Sequence, residues 1–245
     1  MSVSKYGIIM FMDALGTKSA SESNWQRYIN AWNSFNFDFD IISLSDGEFS
    51  MFSYTVIFAL PSTNIAEDFT HLGKILLQLF LSGLKWGLFF RGTISVGNFY
   101  FIKEKSAMFA GIYYPEYWNP TEKKLLIGPA VNEAAKFYDK SKWIGISTMP
   151  SATKHLEDMK DNHPAKRYFI NCNVKKYGAC EDGWALAWPN FDDPDNPENI
   201  NKEYHIKYLE ENYDSFKDTD EYVANKYLHT MQFYKDVRKN LSDVS

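Results

Sequence analysis

Tyr6 to Met12 is an apolar run without an internal breaker, and it stops at Asp13. A run of that length and purity is what a strand buried on both faces presents, which places Asp13 at the strand's carboxyl end. Other periodic segments extend the pattern. Trp25 to Phe35 has helical spacing, and Asp40 to Leu44 and Met51 to Leu60 read as strands, with Ser45-Asp46-Gly47-Glu48 between them. Pro61-Ser62-Thr63 caps a long helix through Ile65, Phe69, Leu72, Leu76 and Phe80. Leu88 to Tyr100 returns to strand, Leu125 to Gly128 leads into a helix carrying Asn132, and Trp143 to Ser147 reads as a further strand. The order β-α-β-β-α-β, followed by helix and strand, predicts an α/β (α+β) fold of the ferredoxin-like, split βαβ kind.

Two regions define the organisation. Residues 1–150 carry the ferredoxin-like pattern. Beyond Pro150, residues 151–245 read as strands and helices that complete or extend the same domain. Arg167 to Val174 and Trp184 to Trp188 are candidate strands on the sheet edge, and Glu203 to Leu241 is helical in spacing. Tyr113 to Trp118 is an aromatic loop or arm, and residues 192–199 form a polar, proline-broken loop.

Composition removes several classes of function. An apolar share of 45% and an aromatic share of 17% supply a core. A net charge of −5 gives no global basic field to hold a polynucleotide, although a few local cations and a metal suffice for a free nucleotide. Cys172 and Cys180 make neither a disulfide framework nor a zinc site and read as reduced thiols. The five histidines show no metal spacing. No apolar run is long enough to span a bilayer and no signal sequence is recognisable, so a cytoplasmic protein with neither membrane nor nucleic-acid partner is expected.

Four blocks carry the chemistry: Phe11-Met-Asp13-Ala-Leu-Gly16-Thr17, Phe52-Ser-Tyr54-Thr-Val-Ile-Phe58, Arg91-Gly-Thr-Ile-Ser-Val-Gly97 and Ile127-Gly-Pro-Ala-Val-Asn132-Glu-Ala-Ala-Lys136. Singly, each has a structural reading: Asp13 caps a turn, Asn132 and Lys136 lie on a solvated helix face, Arg91 pairs with a carboxylate, and Tyr54 packs. Jointly and in this order, they resemble the class III nucleotidyl cyclases, and more nearly the pyrimidine cyclases of bacterial Pycsar antiphage systems. The resemblance spans roughly residues 5 to 147.

The resemblance implies that the ribose 3′-oxygen attacks the α-phosphate and expels pyrophosphate, yielding cyclic UMP or cyclic CMP. Asp13 would then bind Mg²⁺ or Mn²⁺, with the Ala14 backbone beside it and Asp46 as a weak further candidate. Amides of Leu15, Gly16 and Thr17 would meet phosphate oxygens. Asn132 and Lys136, one helical turn apart, take the places of the transition-state Asn and its partner Arg. Lysine keeps the charge but loses the bidentate fork. Arg91 would reach nucleobase or phosphate.

Two positions depart from the family pattern. Tyr54 stands where the second metal-binding Asp belongs. Asp46 or a backbone carbonyl completes the site, or one metal alone binds tightly, or Tyr54 contacts the nucleobase and favours pyrimidines; otherwise the domain is an inactive nucleotide-binding or dimerisation module. Leu125 stands where adenylyl cyclases of this class carry the acidic residue that reads adenine, which argues against ATP but does not separate UTP from CTP or GTP; UTP ahead of CTP is the expectation taken from the resemblance. The resemblance further implies a homodimer in which Asp13 of one chain faces Asn132 and Lys136 of the other. A polymerase or dinucleotide cyclase on the same fold is the remaining rival, and the acidic pair it would need on the central hairpin is missing from the sequence.

Overall fold

The computed structural model describes residues 3–15, 26, 29–34, 48–52, 55–104, 123–138, 140–191 and 202–242. The apolar run forms strand β1 (Val3–Leu15), in which every residue from Ile8 to Met12 is at most 8% exposed. Burial on both faces follows from its central position. β1 pairs antiparallel with β3 (Thr55–Pro61) on one side and with β4 (Phe89–Glu104) on the other. β2 (Glu48–Phe52) pairs with β3 at the sheet edge. β4 serves two neighbours in succession: Arg91 to Ile94 pair in parallel with β6 (Gly145–Thr148), and Tyr100 to Glu104 pair antiparallel with β5 (Lys123–Ile127). The sheet continues through β8 (Gly183–Leu186) to β7 (Phe169–Cys172), giving the order β2-β3-β1-β4-β6-β8-β7 with β5 off that path.

The alternation of β1 divides the packing into two layers. Ile8, Met10, Met12 and Ala14 face the main core, built with α1 (Ile65–Trp86), α3 (Pro150–Asp158), α4 (Lys202–Phe216) and α5 (Glu221–Ser242). Ile9 and Phe11 face a smaller cluster completed by Ala59, Phe99 and three residues of α2 (Pro129–Tyr138): Ala130, Val131 and Ala134. Small residues let α2 approach closely, and two buried hydroxyls fix it there. Thr93 Oγ1 donates to the Ala134 carbonyl at 2.9 Å, and Ser95 Oγ donates to that of Ala130 at 2.6 Å.

Several boundaries differ from the sequence expectation. Met51 to Leu60 is a hairpin and not one strand: Phe52 pairs with Thr55, leaving only Ser53 and Tyr54 between the two strands. A run of apolar and β-branched residues on both sides of a two-residue connection has no compositional break to mark it. The long helix is capped by Asn64, whose side chain accepts from the Glu67 amide, and not by Pro61-Ser62-Thr63. α3 begins directly at Pro150, a residue favoured at a first helical position. Residues 29–34 are helical, within the expected Trp25–Phe35 segment. The Asp40–Leu44 strand and the Tyr113–Trp118 arm lie outside the described residues.

The aromatic tail packs inward. Phe233 meets Trp143 edge to face at 5.0 Å, Tyr234 stacks on Trp188 at 5.5 Å, and Tyr227 meets Phe89 edge to face at 5.2 Å. Tyr222 remains half-exposed. No described helix is long and apolar enough to cross a membrane.

Candidate active site

Asp13 lies near the end of β1, on the sheet face that carries α2. Its register partners decide its surroundings: Thr55 stands opposite on β3 and Arg91 opposite on β4. Cross-strand neighbours on one face lie within side-chain reach. Thr55 Oγ1 donates to Asp13 Oδ1 at 3.2 Å, while Arg91 Nη2 and Nε approach Asp13 Oδ2 at 3.2 and 3.4 Å. Arg91 Nη1 donates to the Ser141 carbonyl at 3.2 Å, so the guanidinium bridges β1 and the segment leading into β6. Side-chain exposures of 18% for Asp13 and 12% for Arg91 leave one flank of this pair open to solvent.

The carboxylate is thus positioned by its own sheet rather than by a loop. The ion pair is a charge-assisted contact in a part-buried setting. A cation approaching Asp13 must therefore compete with Arg91, or draw on the oxygen that Thr55 serves.

The other sequence candidates are distributed as follows. Leu15 ends β1, and its side chain packs against the main core; Ala14 is buried there too. The β3 ladder stops at Asp13, whereas the β4 ladder runs on to Leu15, so Ala14 and Leu15 have no strand partner on the β3 side among the described residues. Gly16, Thr17, Asp46 and Tyr54 lie outside the described residues. Leu125 belongs to β5, opposite Ile102.

Asn132 and Lys136 are exposed on α2, on the side opposite the buried Ala130, Val131 and Ala134. Within one chain these two side chains point away from the sheet face that holds Asp13. Helix α2 is nevertheless held rigidly. Gly128 precedes it at φ +143°, and a Cβ there would lie 2.7 Å from both the Asn98 carbonyl oxygen and Phe99 Cα. The Asn132 amide donates to the Gly128 carbonyl at 2.9 Å. Glu133 accepts from the Ser151 amide and hydroxyl, tying α2 to the start of α3.

No group of three or more His, Cys, Asp or Glu side chains gathers around one point among the described residues. The donors at the strand end are a carboxylate and backbone carbonyls, the hard oxygen chemistry that Mg²⁺ and Mn²⁺ accept when substrate phosphates fill the rest of the shell. Asp13 offers oxygens of that kind, already contacted by Thr55 and Arg91. Both cysteines are free, and burial, followed by the charge of Asp182, pushes the Cys172 thiol up to about 11, unlike a reactive nucleophile.

Sequence reasoning missed one contributor. Thr55 sits in one of the four recognised blocks, but its partnership with Asp13 depends on the β1–β3 register.

No family model and no curated protein matches the chain. Solved structures do. The adenylyl cyclase CyaB from P. aeruginosa is similar with a TM-score of 0.52 at 14% identity, over 76% of this chain and 95% of that one. The guanylyl cyclase Cya2 matches with a TM-score of 0.52 at 13% identity, over 80% of this chain and 96% of that one. The catalytic core of a rhodopsin-guanylyl cyclase with converted specificity, in complex with ATPαS, matches with a TM-score of 0.50 at 12% identity, over 76% and 97%. The chain has the mixed α/β fold of nucleotidyl cyclase catalytic domains.

Proposed function

We propose that the chain is a nucleotidyl cyclase that converts a pyrimidine nucleoside triphosphate, UTP ahead of CTP, to the 3′,5′-cyclic monophosphate and pyrophosphate. The observation that supports this reading is a fold similar to cyclase catalytic domains, on which the candidate residues fall in two groups. Asp13 lies at the end of β1 between Thr55 and Arg91, while Asn132 and Lys136 face outward from α2. Two chains related by a two-fold axis would bring each half against its complement. The proposed enzyme is accordingly a homodimer with two shared sites.

The chemistry follows from charge. Attack of the 3′-oxygen on the α-phosphorus forms one P–O bond and breaks the bond to the pyrophosphate oxygen, which leaves as an anion. The divalent ion, when bound, lowers the pKa of the attacking hydroxyl and neutralises the phosphates. Asp13 would hold that ion, and Thr55 would orient the carboxylate. Asn132 donates a hydrogen bond from the partner chain, and Lys136 places a cation against charge developing on the α-phosphate. Arg91 would reach phosphate or nucleobase. Tyr54 and Leu125 bear the preference for pyrimidines, and Asp46 is a minor candidate ligand. By resemblance to the Pycsar cyclases, the product would act as an antiviral second messenger.

A second reading, an inactive nucleotide-binding module, draws on the Arg91–Asp13 ion pair, which occupies the carboxylate that metal requires. Incubation with each of the four triphosphates and Mn²⁺, followed by chromatography with mass detection, separates the two. Cyclic UMP is the expected product. Absence of product from a folded dimer overturns the cyclase reading in favour of the inactive module.

A further inference from the structure

Helix α2 presents Asn132 and Lys136 outward, yet the face beneath it does little to fix its rotation. The buried stripe is Ala130, Val131 and Ala134, and alanine faces offer few ridges to interlock with a sheet. Thr93 and Ser95 hold the Ala134 and Ala130 carbonyls from the β4 side. A third attachment comes from the flank. Glu133 lies about 100° round the helix from Asn132 and about 60° from Lys136. Its carboxylate reaches the first turn of α3. Oε2 accepts from the Ser151 hydroxyl at 2.5 Å, a charge-assisted contact, and Oε1 accepts from the Ser151 amide at 3.3 Å.

Ser151 is itself fixed to the sheet. β6 pairs with β4 only as far as Ile94, whose carbonyl accepts from the Met149 amide at 2.7 Å. Beyond the end of that ladder, the Val96 amide donates to Ser151 Oγ at 2.9 Å. One hydroxyl therefore receives a β4 amide and donates to α2. Both groups of candidate residues are referenced to the same strand. Asp13 meets β4 through Arg91, and α2 meets it through Thr93, Ser95 and the Ser151–Glu133 clasp.

Side-chain tips about 5–6 Å from a helix axis move about 1 Å for a turn of about 10°. A displacement of about 1 Å costs about 100-fold in rate where alignment governs the step. We propose that Glu133 is a positioning residue that acts through Ser151 to set the rotation of α2, and with it the aim of Asn132 and Lys136. This role deepens the cyclase reading and rests on its shared site.

Full-length heterodimers with one intact site provide the test. They pair an Asp13→Ala chain, which supplies α2, with an Asn132→Ala chain, which supplies Asp13. Glu133→Ala is placed on each chain in turn; alanine is the better helix former, so propensity does not weaken α2. On the chain that supplies α2, kcat is expected to fall about ten- to hundredfold while KM stays within a few-fold. On the other chain, both constants stay at the reference value. Glu133→Gln, which keeps an oxygen acceptor for Ser151, is expected to recover most of the rate. Equal loss from either chain, or loss from neither, overturns the positioning role and leaves the cyclase reading standing. Amide hydrogen exchange of wild type and Glu133→Ala needs no turnover, and faster exchange in α2 with α1 unchanged is expected. If the reference heterodimer yields no cyclic product, the shared-site reading fails and exchange alone decides. Faster exchange in α2 then supports the clasp, and unchanged exchange overturns it.

Discussion

Thr230 is fully buried, and its hydroxyl is the polar link between α5 and the backbone at the start of β6. Thr230→Val keeps the shape of the side chain and removes only the hydroxyl. The Ile144 amide, which donates to it at 2.8 Å, then loses that partner in a buried setting. An unsatisfied buried donor costs about 1–3 kcal/mol. The Lys226 carbonyl retains its helical setting, so the loss concentrates at Ile144. For a domain of this size each kcal/mol moves the melting temperature by about 2–4 °C, giving an expected fall of about 2–12 °C. Thermal melts followed by far-ultraviolet circular dichroism, at one fixed protomer concentration, measure it. Thr230→Ser keeps the hydroxyl and is expected to recover much of the loss. A Val variant as stable as wild type would refute the argument that this hydroxyl anchors the C-terminal helix.

Asp13→Ala is expected to abolish turnover while leaving the circular dichroism spectrum unchanged, and undiminished activity with Mn²⁺ would remove Asp13 from the site. Mixing Asp13→Ala with Asn132→Ala chains should restore one complete site per heterodimer, and lack of rescue in verified heterodimers would count against sharing. Gly128→Ala places a methyl group against the Asn98 carbonyl and Phe99 at a positive φ. We expect it to destabilise the chain by ~1–3 kcal/mol and to shift α2, so a wild-type melt would contradict the close approach. Asp236 is held below the ordinary carboxylate range, chiefly by a hydrogen bond from Lys176 and with further bonds from Tyr177 and Gln232. Its folded pKa is depressed, so its contribution is present above the unfolded value and lost as pH falls through the folded value. Asp236→Asn should flatten the acid limb of the stability curve, and an unchanged limb would sink that assignment.

The local pattern of the chain determined its elements. The unbroken Tyr6–Met12 run reads as a doubly buried strand, and the spacing of Ile65, Phe69, Leu72 and Leu76 reads as a helix. Their order was enough to give the α/β class, and four short blocks in sequence were enough to point to a cyclase fold. Tertiary structure decided the neighbours. Thr55 and Arg91 meet Asp13 because of register across two antiparallel pairings, and a shift of one residue in either would turn that side chain to the other face of the sheet. The position of α2, with Asn132 and Lys136 outward, follows from where Thr93 and Ser95 hold its carbonyls. The C-terminal helix lies against the start of β6 because Thr230 accepts from the Ile144 amide, 86 residues away. Periodicity records which face a residue belongs to. It carries no information about which distant residue will stand opposite, since that is set by contacts whose separation along the chain leaves no local trace.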